Sequence, residues 1–174
     1  MNAANRDFEE LYSRNADTVY RICFLRLKSA EDAEDAVQNI FLRYLKKPKE
    51  FSGTEHEKAW FITAARNYCK DVFRFGGRLR RVDMESLPEQ ACESAPEESE
   101  LLEKLMSLPE KYREILYLYY YEDYPAKEIA GLLGRNESTV RTQLSKGRER
   151  LKKLLQNERK GYYGYKREEH SGGV

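Results

Sequence analysis

The chain has 174 residues, with 31 Lys and Arg against 30 Asp and Glu for a net charge of +1, a mean hydropathy of -0.84 and 12% aromatic residues. That length buries a core without staples, in one domain or two small ones, and the aromatic content argues against a disordered chain. No run approaches the roughly eighteen apolar residues a membrane span needs, and the opening MNAANRDFEELYSRN lacks the basic-then-apolar order of a secretory signal, so a cytoplasmic protein with no membrane insertion is expected.

Phe8, Leu11, Tyr12, Val19, Ile22 and Cys23 mark the apolar stripe of a first amphipathic helix. Ala33, Val37, Ile40, Phe41 and Tyr44 repeat the pattern in a second. KKPKEFSGTEHEK, residues 46–58, breaks it with Pro48 and Gly53, and AWFITAARNYCKDVFRF resumes it with Phe61, Ala64, Ala65, Tyr68 and Val72 on one face. Gly76 and Gly77 end that helix, and no stretch alternates with period two. Residues 1–81 therefore read as an all-helical domain. Residues 82–99 carry two prolines and little that could pack, and from Asp83 to Glu103 there are eight acids and no base; this is a linker. Residues 100–156 read as a second, smaller domain of four short helices, with Pro109 and Pro125 in first helical turns and Asn136 as an N-cap. The remaining residues, 157–174, show no periodicity and are expected to be a disordered tail. From Arg135 to Arg167 eleven bases face only Glu137, Glu149 and Glu158, so the near-neutral total hides a basic segment beside an acidic one. Cys23, Cys69 and Cys92 are odd in number and lack metal-ligand spacing, which fits small reduced core residues.

YPAKEIAGLLGRNESTVRTQLSKGRERLKKLL, residues 124–155, has the parts of a helix-turn-helix. Ile129, Ala130 and Leu133 form a packing face, Gly134 stands where the chain must leave the first helix in a left-handed conformation, and Val140, Leu144 and Leu151 anchor the second helix. The opposite face carries Ser138, Arg141, Thr142, Ser145, Arg148 and Lys152, hydroxyls and bases that reach phosphates and guanine edges in a major groove. A helical hairpin with a merely solvated basic face is the alternative.

Three blocks, AEDAVQNIFLRYL, WFITAARNYCKDVFR and LPEKYREILYLYYYEDYPAKEIAGLLGRNESTVRTQLSKGRERL, stand in this order around the short linker, and together they resemble a bacterial extracytoplasmic-function (ECF) sigma factor of the sigma-70 family. The lack of a long N-terminal extension and of a large insertion between the domains also matches that subgroup. The resemblance implies an all-α, two-domain subunit that recruits core RNA polymerase to promoters and opens the DNA. It places Glu34, Asp35 and Gln38 against the polymerase β′ coiled coil. It puts the minus 10 element along Trp60, Thr63, Asn67, Lys70, Arg74 and Arg78, with a core role as the alternative for Trp60 and one flipped base captured near residues 46–58. Asp71 matches the family motif and is expected to orient its neighbours. The minus 35 element falls to Ser138, Thr139, Arg141, Thr142, Ser145, Lys146 and Arg148. The tyrosines of YLYYYEDY serve packing or a partner such as the polymerase β flap, and an anti-sigma factor, possibly membrane-anchored, is a further implied partner. The acidic linker is either a solvated spacer or an RNA mimic in the exit channel.

Two positions depart from the family pattern. Members often carry Arg where Gln143 stands and an apolar residue where Arg135 stands, which leaves the DNA register open. The competing readings are a stand-alone regulator, which would have no need of the first two blocks, and a nucleic-acid enzyme. With only His56 and His170, no metal-ligand cluster and no phosphate-cradling glycine loop, neither catalysis nor a cofactor is expected.

Overall fold

The computed structural model describes the backbone of residues 3–76 and 102–169 and the side chains of residues 6–76 and 102–157. Arg78, Cys92 and the expected linker at 82–99 lie outside the described residues. All regular structure among the described residues is helical, and the chain divides into two compact units between Ser94 and Ala95.

The first unit packs three helices, α1 (Ala3–Leu27), α2 (Ala30–Lys46) and α3 (Thr54–Gly76). A two-residue turn separates α1 from α2: Lys28 takes a positive φ of 58°, and Ser29 caps α2 by accepting the Asp32 N–H at 3.2 Å. The core follows the apolar periodicity, with Val19, Ile22, Cys23, Ala33, Val37, Ile40, Phe41, Phe61, Ala65 and Cys69 all buried. Phe8 and Tyr12 reach this core from its edge, the Tyr12 ring 4.7 Å from that of Phe41. Cys23 and Cys69 are free and buried, as small core residues should be. A hydrogen bond with Cys69, together with burial, pushes the Cys23 thiol far above the ordinary range.

The second unit contains α4 (residues 102–106), α5 (Glu110–Tyr120), α6 (Ala126–Leu133) and α7 (Glu137–Glu169). Its centre is α5, in which every residue from Tyr112 through Leu118 is buried. Arg113 stays inside because its Nε and Nη2 both donate to the Leu108 carbonyl, at 3.1 and 3.0 Å; burial lowers its pKa below the usual arginine value. Pro109 and Pro125 sit one residue earlier than expected, at the N-cap positions of α5 and α6, where their carbonyls accept the first helical N–H groups. Against α5 packs α7, with buried Gly147 facing it. A methyl group there would stand 3.1 Å from Leu116 Cδ1 and 3.3 Å from Tyr112 Cβ, so the helices meet backbone to side chain.

One expected boundary is corrected. The last helix does not end at 156 but continues to Glu169. NERKGYYGYKREE contains no proline to stop it, and Glu, Arg and Lys are good helix formers that carry the helix across two glycines. Residues 170–174 lie outside the described residues.

Candidate functional site

The helix-turn-helix is built by α6, a three-residue turn and α7. Gly134 ends α6 with φ 61° and ψ 39°, and the Arg135 N–H closes the cap on the Ala130 carbonyl at 3.0 Å. Nothing crowds a side chain at Gly134, so glycine is demanded there by its backbone angle alone. Asn136 stands directly before α7, and its carbonyl accepts the Val140 N–H at 3.1 Å. Ile129, Ala130 and Leu133 of α6 and Val140 and Leu144 of α7 are all buried where the two helices pack, while Leu151 is only half-buried.

That packing turns Ser138, Thr139, Arg141, Thr142, Ser145, Lys146 and Arg148 outward, and all seven are exposed. Several are already oriented. Arg141 donates through Nε and Nη2 to one oxygen of Glu137, at 2.9 and 2.6 Å. The Thr142 hydroxyl donates to the Ser138 carbonyl at 2.9 Å. The Arg148 guanidinium lies 4.9 Å from the Tyr119 ring centre and 5.7 Å from that of Tyr120, so the tyrosine-rich segment steers a base of α7. The other tyrosines divide by burial: Tyr117 and Tyr124 are core residues, whereas Tyr120 is half exposed. Beside it an apolar groove of about 750 Å³ is lined by Leu105, Leu116, Tyr121, Leu151 and Leu155.

On the first unit, α3 presents Thr63, Asn67, Lys70 and Arg74, all exposed, and Asp71 is exposed beside them. Thr63 back-bonds to the Ala59 carbonyl at 2.9 Å. At the end of the helix, Phe75 is 82% exposed with the Arg74 guanidinium 5.6 Å from its ring centre. An exposed aromatic next to a cation has the chemistry to stack on an unpaired base, and Phe75 escapes periodicity arguments because it falls off the apolar stripe. Trp60 differs from its exposed neighbours. It is half-buried against Phe61, Phe51 and Tyr44 at 4.9, 5.8 and 5.9 Å, with the Lys49 ammonium 5.6 Å from its ring. Its visible work is to fasten Phe51, and so the loop before α3, onto the domain.

A buried polar network holds the same loop from below. Glu57 accepts from Arg14 Nε and Nη2, both at 3.1 Å, and from buried Asn15 Nδ2 at 2.6 Å, while its own N–H donates to the Gly53 carbonyl. The hydrogen bonds to Glu57, assisted by its charge, raise the Arg14 pKa. Sequence patterning gives no sign of this residue, because a glutamate in a first helical turn reads as surface.

On α2, Glu34, Asp35 and Gln38 are exposed beside buried Val37 and Phe41. The same face continues through Leu42 and Leu45, which are 54% and 47% exposed. These leucines could have been found: Ala33, Val37, Ile40 and Phe41 already complete the buried stripe, and Leu42 and Leu45 lie outside it. An acidic and amide patch running into exposed leucines has the composition of a protein-docking surface.

Two family models match in order: sigma-70 region 2 over residues 11–79 and sigma-70 region 4 over residues 98–151. The ECF RNA polymerase sigma factor SigM of Bacillus subtilis is 30% identical over 156 residues, which cover 84% of this chain and 93% of that protein. SigE of Mycolicibacterium smegmatis is 31% identical over 166 residues, covering 88% of this chain but only 63% of its own length. Among solved structures, the sigma factor RpoE in complex with the anti-sigma factor NepR from Bartonella quintana aligns with a TM-score of 0.71 at 23% identity, over 87% of this chain and 98% of that one. CnrH in complex with the cytosolic domain of CnrY aligns with a TM-score of 0.59 at 21% identity, over 88% and 90%. Among the described residues no helix is long and apolar enough to cross a membrane. With both sigma regions matched in order and SigM aligned along nearly its whole length, the chain belongs to the ECF RNA polymerase sigma factors of the sigma-70 family.

Proposed function

We propose that the two units divide promoter recognition as the α7 and α3 surfaces divide their chemistry, in the cytoplasm and only within polymerase. The outward face of α7 lies in the major groove of the minus 35 element. Arg141 near its N-terminus reads a base, and Arg148 and Lys146 take phosphates. The α3 face, Thr63 to Arg74 and on to Arg78, takes the melted minus 10 strand, and the pinned loop before α3 receives the flipped base. The α2 patch of Glu34, Asp35 and Gln38, extended by Leu42 and Leu45, docks the β′ coiled coil. The apolar groove beside Tyr120 receives the β flap. Residues 1–81 and 100–156 act as the two functional domains, with 82–99 between them.

The observation that carries this reading is the exposed hydroxyl-and-base face of α7, held outward by Val140, Leu144 and Gly147 behind a left-handed Gly134. Each unit alone offers few DNA contacts, so specific binding depends on core polymerase fixing their spacing. An anti-sigma factor is the proposed regulator, supported by the fold shared with RpoE, which was solved with NepR. Run-off transcription with core polymerase tests the reading directly: promoter-specific transcripts appear only when this chain is added. Tight sequence-specific binding by the free chain in a gel shift would instead make it a stand-alone regulator.

A further inference from the structure

Arg135 and Gln143, the two residues that depart from the family pattern, touch each other. Arg135 Nη1 donates to Gln143 Oε1 at 3.0 Å, across the turn and two turns of α7, and both residues are half-buried. The partner is neutral, so the bond aims the guanidinium without cancelling its charge. Glu137, the acid in the first turn of α7, is the nearest carboxylate in sequence, and it is occupied by Arg141. Arg135 also sits ahead of a helix N-terminus, where the helix dipole disfavours a cation. Among the described residues the other N–H groups of its guanidinium have no partner. A planar fork with free donors, uncompensated charge and a fixed direction matches a phosphate oxygen pair.

We infer that Arg135 is a DNA phosphate contact of the helix-turn-helix, positioned by the side-chain amide of Gln143. This rests on the reading of α7 as the minus 35 helix. Where the family pattern often has an arginine on the helix itself, this chain supplies a guanidinium from the turn and uses Gln143 to hold it.

The ligand is the sugar-phosphate backbone of duplex DNA, so the contact adds affinity without base preference and shows in the salt dependence. The test is binding of the reconstituted holoenzyme to a promoter fragment across a salt series. Arg135→Ala lowers the slope of log affinity against log salt by about one, equally for all upstream sequences. Gln143→Ala removes no charge, yet it lowers the slope in the same direction, and the double variant loses no more than Arg135→Ala alone. A merely structural bond predicts otherwise: both variants lower the melting temperature and leave the slope unchanged, which would overturn the inference. A slope that falls for Arg135→Ala but not for Gln143→Ala overturns the positioning. Fragments lacking the upstream element separate the two levels. If wild-type holoenzyme binds them as tightly as intact promoter, the reading of α7 fails and this assignment with it. If it binds them more weakly while Arg135→Ala keeps the full slope, the assignment alone fails.

Discussion

Removing the Glu57 carboxylate should unfasten the first unit where promoter melting needs it firm. In Glu57→Ala, buried Asn15 loses the partner of one amide proton, and an unpaired buried donor costs about 1–3 kcal/mol. The two bonds from Arg14 are discounted because its side chain is 43% exposed, and they contribute about 0.5–1 kcal/mol together. The sum is about 1.5–4 kcal/mol, a large part of what a domain of this size has to lose. For so small a unit that is a fall in Tm of roughly 6–32 °C. Glu57→Gln keeps an acceptor for Asn15 and should cost about half as much. The chain has a single tryptophan, Trp60, inside the aromatic cluster that fastens the loop, so its fluorescence reports unfolding of this unit alone. Open-complex formation, followed by permanganate reactivity of melted thymines, should fall at temperatures where the unit is still folded, because the Gly53–Glu57 corner has lost its anchor. A Glu57→Ala midpoint within about 0.5 kcal/mol of wild type, a normal range for surface substitutions, would refute the reasoning.

At Gly147, Val should cost about 1–3 kcal/mol by overpacking against Leu116 and Tyr112, measured by denaturant titration followed by circular dichroism; an unchanged midpoint would mean that α5 and α7 separate freely. Arg141→Ala should cost about 1–3 kcal/mol only at promoters carrying the matching upstream base, whereas Lys152→Ala should weaken all promoters alike and lower the salt slope by about one. Identical losses for both variants would make α7 an electrostatic clamp. The raised pKa keeps Cys23 protonated, and with no exposure it should resist iodoacetamide at pH 8 in the native protein and react after denaturation; peptide mapping that finds Cys23 modified in the fold would contradict its burial.

Much of the helix-turn-helix was legible because each part answers to a strong local rule. A left-handed position demands glycine at 134, and a buried face demands Val140 and Leu144 at helical spacing. What periodicity hides is anything that depends on two distant segments. Gly147 in a basic helix reads as a weak point until α5 is seen against it. Glu57 reads as surface until Asn15 and Arg14 arrive from α1, more than forty residues earlier. The continuation of α7 to Glu169 was missed for the opposite reason: a helix without an apolar stripe leaves no period to detect, though its residues are good helix formers.

The departures at 135 and 143 show why a family pattern must be read in pairs. Taken singly, an arginine at a position often apolar is a packing defect, and a glutamine in place of an arginine is a lost cation. The 3.0 Å bond joins the two, because neither change has the same meaning without the other. Leu at 135 would leave Gln143 a free amide, and Arg at 143 would set two cations against each other. The other oriented side chains of α7 follow the same logic. Arg141 on Glu137 and Arg148 on Tyr119 are surface interactions worth no more than about 1 kcal/mol each, weak enough for DNA to replace. Each nevertheless restricts a long side chain whose ordering would otherwise oppose binding by up to about 2 kcal/mol. On the proposed reading of α7, its outward face is thus arranged before DNA arrives, by contacts that DNA can outcompete, and a sequence comparison made one column at a time has no access to that arrangement.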